Sequence, residues 1–196
     1  MTATWVVVLA GGASRRFGSD KLAADLDGRP LLDVTLASVP AGLPVLVVGP
    51  ERPVRRAVRF VREEPPGGGP AAGLVAGLSA ALAAGADRVV TLPGDAPWAG
   101  SAVPVLLEAL DAVDASAEGD DLAMAVGADG QVFPLQLACT RAGATRVLDA
   151  AGDGAGLSVR RLLEPLGPRR VVLDRDALLD VDVPADLGRV GEVPTA

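Results

Sequence analysis

The chain has 196 residues, 49% of them hydrophobic and 22% charged, with a formal net charge of −7. That length can bury one substantial core, so a single domain over 1–196 is expected, and no apolar run approaches the roughly 20 residues of a membrane helix. The acidic balance argues against a nucleic-acid partner, and one cysteine, Cys139, behind a start with no basic leader, fits a reducing, cytoplasmic setting.

In chain order, Trp5 to Val8 is a β-branched strand run that opens into the glycine-rich stretch from Leu9 to Lys21. Gly28-Arg29-Pro30 reads as a turn before a helix from Leu31 to Val39, where Leu31, Leu32, Thr35, Leu36 and Val39 recur at helical spacing. Pro44 to Val48 is a continuous apolar run ending at Gly49-Pro50, as in a buried parallel strand. Arg52 to Arg59 reads as a short exposed helix with a solvated arginine face, and Arg59 to Arg62 as a strand leading to Glu63-Glu64.

Pro65 to Pro70 is the strongest punctuation and opens an alanine-rich helix to Ala84, whose first amides are suited to an anion. Asp87 to Leu92 is the next strand; it ends in Pro93-Gly94-Asp95, where open α/β sheets place ligands, although a plain turn aspartate fits equally. A helix from Ala102 to Val113 and a polar loop to Asp121 follow. Leu122–Val126 and Val132–Ala138 read as strands joined at Asp129-Gly130. Thr140 caps a helix to Ala150, Gly152 to Gly156 reads as a mobile loop, and a helix covers Leu157–Leu163. Arg169–Leu173 and Leu178–Val181 are read as final strands. The alternation predicts an α/β fold, three-layer α/β/α and Rossmann-like, with a mainly parallel sheet.

The chemistry is bounded by two absences and one exception. Histidine is missing, so neither the usual neutral-pH base nor the commonest zinc ligand is present. Of 18 basic residues only Lys21 is a lysine, and it lies in the glycine-rich stretch. A compact ammonium differs from arginine's planar fork. The stretch is not a P-loop, because five residues separate Gly12 from Gly18 and Ser19-Asp20-Lys21 follows; nor is it a G-x-G-x-x-G.

It matches L-A-G-G-x-S-x-R-x-G-x-D-K from Leu9 to Lys21, and so resembles the signature loop of the molybdenum-cofactor guanylyltransferase (MobA-like) family of nucleotidyltransferases. Gly69-Pro70-Ala71-Ala72-Gly73 resembles that family's G-P-L-A-G, Pro93 to Pro97 its metal-aspartate turn, and Asp182 to Leu187 its N/D-T-P-x-D/E-L. The resemblance implies a nucleotidyltransferase that binds GTP with Mg²⁺ and moves GMP to molybdopterin. Arg16, Lys21 and Asp95 are the implied catalytic residues. Nucleotide contacts fall to Leu9, Ala10, Gly11, Gly12, Ser14, Gly49, Glu64, Gly69, Pro70 and Gly73 beside those three, and the metal to Asp95 with Asp182.

Backbone amides from Ala10 to Gly12 can approach phosphates where glycine removes the side chain. Asp20 is either a ligand contact or a partner that orients the loop. A phosphate monoester nucleophile, with a second pKa of about 6, needs no base, which suits a chain without histidine. Departures from the family's pattern are Glu64 for an aspartate near the base, Gly49-Pro50 where an asparagine can occur, and Val183 for threonine. The region from Gly127 to Gly156, which the resemblance places on the acceptor side, resembles the family only loosely, at Gln131 to Gln136, and does not identify the acceptor. Cytidylyl or other nucleotidyl transfer to another phosphorylated acceptor, and a non-catalytic nucleotide-binding protein, are the competing expectations.

Overall fold

The computed structural model describes residues 2–12, 17–64, 66–112 and 121–191. The chain runs β1 (Thr4–Leu9), the short hairpin β2 (Asp25–Leu26) and β3 (Arg29–Pro30), α1 (Leu31–Ser38), β4 (Val45–Val48), β5 (Arg59–Val61), α2 (Pro70–Ala83) and β6 (Arg88–Pro93). It continues through α3 (Ala102–Asp111), β7 (Leu122–Val126), β8 (Val132–Thr140), α4 (Arg141–Ala151), α5 (Val159–Leu163), β9 (Arg169–Val172), α6 (Arg175–Leu178) and α7 (Asp186–Gly191).

Among the described residues one large sheet has the order β5-β4-β1-β6-β8-β7-β9. β8 is antiparallel to both neighbours, and every other pairing is parallel. The alternating burial of the first strand explains its all-apolar sequence. Val6 and Val8 pack on one face with α1 and α3, while Val7 packs on the other with α2 and α4. All three are fully buried, and each such valine contributes roughly 1.5–3 kcal/mol. Helices thus cover both faces, giving the expected α/β/α layers with a mainly parallel sheet.

Close approach of α2 to the sheet depends on glycine. A Cβ at Gly77 would stand 2.4 Å from Val7 Cγ1, and one at Gly73 3.8 Å from Leu9 and Val48. α2 therefore lies low over β1 and β4, with its N-terminus beside the ends of those strands.

Three local expectations are corrected. Arg52–Arg59 is not helical. The last carbonyls of α1 and the turn after it lack intrahelical partners, and the Arg56 guanidinium supplies them: it donates to Leu36, Val39, Pro40 and Leu43 carbonyls at 2.6–3.0 Å. Leu178–Val181 is not a strand. Leu178 closes the single turn of α6, which Gln136 holds through Nε2 to the Ala177 carbonyl at 2.8 Å, and Val181 bonds to Asp95 outside any ladder. Leu178 and Val181 fill different clusters, so a short apolar run misled. The Gly152–Gly156 stretch is seated on the start of α2, with Gly156 N–H on the Gly68 carbonyl at 2.9 Å and the Gly154 backbone against Ala71. The hairpin at Asp129-Gly130 forms as expected: Asp129 Oδ1 accepts from Gln131 N–H, and Gly130 adopts φ 82°.

Candidate active site

The registers of β1 with β4 and β6 fix the centre of the site. Leu9 lies opposite Val48 on one side and Pro93 on the other, so the glycine loop, Gly49 and the Asp95 turn emerge together from one sheet edge. Gly94 N–H then bonds to the Leu9 carbonyl at 2.8 Å, which carries the Asp95 turn against the loop. A Cβ at Gly94 would press on that same carbonyl at 3.0 Å. The fully buried Thr35 hydroxyl lies 3.0 Å from the Gly94 carbonyl and 3.2 Å from that of Leu31, tying the turn to α1.

Asp95 and Asp182 converge on one cation. Lys21 Nζ donates to Asp95 Oδ2 and, at 3.1 Å, to the Val181 carbonyl, and stands 3.6 Å from Asp182 Oδ1. The ammonium is therefore a stand-in ion at a point shared by two carboxylates. Val181 N–H also bonds to the Asp95 carbonyl at 3.0 Å, so the C-terminal segment is laced across the end of β6. Among the described residues no group of three or more His, Cys, Asp or Glu side chains converges as a metal cage. Two carboxylates fit the kind of Mg²⁺ site that is completed by substrate phosphates and water.

Asp182 is aimed by Asp186, which the sequence motif contained but composition did not single out. Asp186 Oδ2 accepts the N–H groups of both Asp182 and Val183 at 2.9 Å. Those two amides, with Arg189 and Lys21 contributing less, hold its carboxyl below the ordinary range. Asp180 behaves oppositely. Partial withdrawal from water in the crevice, followed by the like charges of Asp95 and Asp182, holds its carboxyl above that range, and Lys21 offsets part of this. Burial pushes the Cys139 thiol up to about 12, so it is no nucleophile.

The other expected contacts divide. Gly11 and Gly12 are exposed at the loop, Gly12 with φ 122°. The Ala10 amide is already engaged, donating to the Val48 carbonyl at 2.8 Å, and the Leu9 carbonyl accepts from Gly94 N–H. Gly49 has φ 154°, and a Cβ there would meet the Ala10 carbonyl at 2.6 Å, so this glycine shapes the loop. Gly69, at φ 92°, and Pro70 open α2, whereas Gly73 is buried against the sheet. Ser14 and Arg16 lie outside the described residues.

Asp20 is structural in this geometry: it caps the turn Lys21–Ala23 through the Leu22 N–H and pairs with Arg52 at 2.7 Å, positioning Lys21. Glu64 is exposed. Its neighbour Glu63 instead turns inward, accepting from Gly67 N–H at 3.1 Å with its carboxylate about 4.0 Å from a Cβ position on Gly11. Two adjacent glutamates give no signal in the sequence of which one faces the loop.

A family model described as the MobA-like NTP transferase domain matches residues 6–171. The chain belongs to the MobA-like NTP transferase family. It is 32% identical over 190 residues to a molybdenum cofactor guanylyltransferase of Acidiphilium cryptum, covering 92% of this chain and 90% of that one. A molybdenum cofactor guanylyltransferase of Cereibacter sphaeroides is 34% identical over 192 residues, with 93% of each chain covered. The solved structure of the Mycobacterium tuberculosis Rv0371c homologue from Mycobacterium sp. strain JC1 superposes with a TM-score of 0.72 at 26% identity, over 97% of this chain and 96% of that one. The matched span of this MobA-like NTP transferase includes the glycine loop and Asp95 but stops before Asp182. Among its described residues no helix is long and apolar enough to cross a membrane.

Proposed function

We propose that this chain, acting as one nucleotidyltransferase domain over 1–196, transfers GMP from GTP to the terminal phosphate of molybdopterin and releases pyrophosphate. The observation that carries the reading is the convergence of Lys21, Asp95 and Asp182 beside the glycine loop. The acceptor follows from the names of relatives that match over nine-tenths of the chain.

Asp95 and Asp182 would hold Mg²⁺, whose part when bound is to neutralise phosphate oxygens. Amides from Gly11 onward cradle the triphosphate. Lys21, released from Asp95 toward the phosphates, and Arg16 from its motif position balance the charge that develops on the departing pyrophosphate. An oxygen of the acceptor phosphate attacks the α-phosphorus, and the bond from that phosphorus to the α–β bridging oxygen breaks, with its electron pair leaving on pyrophosphate. The acceptor oxygen is already anionic near neutral pH, its second pKa being about 6. No side chain has to remove a proton.

The test is to incubate the protein with each of the four NTPs, Mg²⁺ and molybdopterin and to measure pyrophosphate. Release that requires both GTP and the pterin is expected. A preference for CTP would move the reading to cytidylyl transfer, and no release with any pair would leave a nucleotide-binding protein.

A further inference from the structure

Asp182 reaches the site on a segment that belongs to none of the sheet's strands. From Val181 the chain crosses the end of β6, turns at Pro184 and runs into α7. It is tied down at both ends to one turn. At the near end Val181 N–H donates to the Asp95 carbonyl at 3.0 Å. At the far end the Trp98 indole Nε1–H donates to the Val190 carbonyl at 2.9 Å, across 92 positions of sequence. Asp95 and Trp98 both stand in the turn that follows β6, so the loop carrying Asp182 is closed on the turn that carries Asp95.

The far anchor matters because the segment has little else beneath it. Val181 and Val190, both fully buried, pack with Leu26 and Leu31 in a cluster separate from the two that line the sheet faces. That is a small core, and a helix of six residues such as α7 does not hold itself in water. The last carbonyls of a helix lack intrahelical partners, and the indole takes that of Val190. Packing alone would let α7 slide over Leu26 and Leu31; a directional bond fixes its register.

Hydrogen bonds within the segment carry the anchoring inward. Asp186, at the start of α7, accepts from the Asp182 and Val183 amides at 2.9 Å. A displaced α7 therefore displaces the backbone from which Asp182 projects.

Resting on the transfer reading above, in which Asp95 and Asp182 hold the metal, we infer that Trp98 is a positioning residue: its indole N–H, by holding Val190, keeps the Asp182 carboxylate in reach of the cation beside Asp95. Trp98→Phe keeps an aromatic ring and removes the donor. Mn²⁺ binding to the nucleotide-free full chain, followed by electron paramagnetic resonance, is compared in wild type, Trp98→Phe, Asp182→Ala and the double variant. Trp98→Phe should weaken binding about fivefold in the wild-type background, equivalent to roughly 1 kcal/mol. It should change nothing once Asp182 is alanine, because the side chain through which it acts is gone. Unchanged affinity in Trp98→Phe, or the same loss in both backgrounds, would overturn the inference; the second result is what a general loosening of the fold gives.

The second arm reads the bond itself, and decides alone if the Asp182→Ala proteins bind Mn²⁺ too weakly to compare. The chain has two tryptophans, Trp5 and Trp98, so the indole N–H signal lost in Trp98→Phe is that of Trp98. By reciprocity of coupling, saturating Mg²⁺ should slow solvent exchange of the Trp98 indole proton several-fold in the ¹⁵N-labelled full chain, with Trp5 as the unaffected reference. An exchange rate that Mg²⁺ leaves unchanged would overturn the inference. Neither arm requires turnover, so absence of guanylyl transfer by the wild type would fail the transfer reading and leave the metal linkage standing.

Discussion

The two sides of Asp95 are built by different means. On the β1–β4 side the sheet edge presents backbone: the glycine loop, Gly49 pressed on Ala10, and the start of α2. On the β8–β7–β9 side a cavity is lined by side chains, brought together from stretches more than forty residues apart, about Gly127 to Phe133 and Arg175 to Asp180. Backbone recognition demands particular residues in a fixed local order, because only glycine permits the approach. Side-chain recognition needs only that the right groups arrive in space.

The largest expected effect sits at the boundary between the two sides. Asp95→Asn should lower turnover by about 10³-fold, with a melting temperature close to wild type because the amide oxygen still accepts from Lys21. Retention of more than a tenth of wild-type turnover would remove Asp95 from the mechanism and leave the two sides without a common centre.

Lys21 comes next. Lys21→Arg should cost about 10²-fold in kcat, since a planar guanidinium cannot reproduce the arrangement of Asp95, the Val181 carbonyl and Asp182 around one nitrogen. Lys21→Met separates charge from reaction. With the ammonium gone, Mn²⁺ titrated into nucleotide-free protein and followed by electron paramagnetic resonance should bind about tenfold tighter, because a like charge has left the carboxylate pair. Weaker binding would mean that the ammonium and the metal do not share a position.

How much of this was legible follows the same division. The glycine loop, the Asp95 turn and the strands that carry them could be read because local sequence dictates them: a continuous Val6–Val8 run must be a strand covered on both faces, and Gly12 and Gly49 adopt positive φ. The inward turn of Glu63 could not, since adjacent glutamates are equivalent until the Gly67 amide selects one. The arginine segment failed for a related reason. Arg56 is used by the carbonyls of α1, whose need is invisible in the arginines' own neighbourhood. Asp180 and Arg175 gained their place only when Val181 was laced to Asp95 across the sheet edge.

A pair of glycine substitutions sharpens the contrast at smaller magnitude. Gly49→Ala sets a Cβ 2.6 Å from the Ala10 carbonyl, backbone against backbone. It should destabilise the protein by about 1–3 kcal/mol and raise the KM for GTP about tenfold, the glycine loop having moved. Gly130→Ala, also at positive φ but with nothing within 4 Å of its Cβ, should cost about 1 kcal/mol and leave the KM for GTP unchanged. Equal effects on GTP would mean that the two sides are not separable. Urea unfolding and initial-rate kinetics on both variants decide it.

The smallest effect tests how Asp182 is held. Asp186→Asn retains an oxygen for the Asp182 and Val183 amides but removes the charge, and should cost about 1 kcal/mol at pH 7. The folded-state carboxyl of Asp186 titrates below its unfolded value of about 3.9. Its contribution is therefore complete above that value and disappears as the pH falls from there through the depressed folded value. Urea unfolding of wild type and variant should show the gap at pH 7 and a smaller one at a pH below about 3.9, as the folded carboxyl takes up its proton and presents a neutral group to the two amides. A gap of the same size at both pH values would show that shape, not charge, is what Asp186 supplies to the turn carrying Asp182.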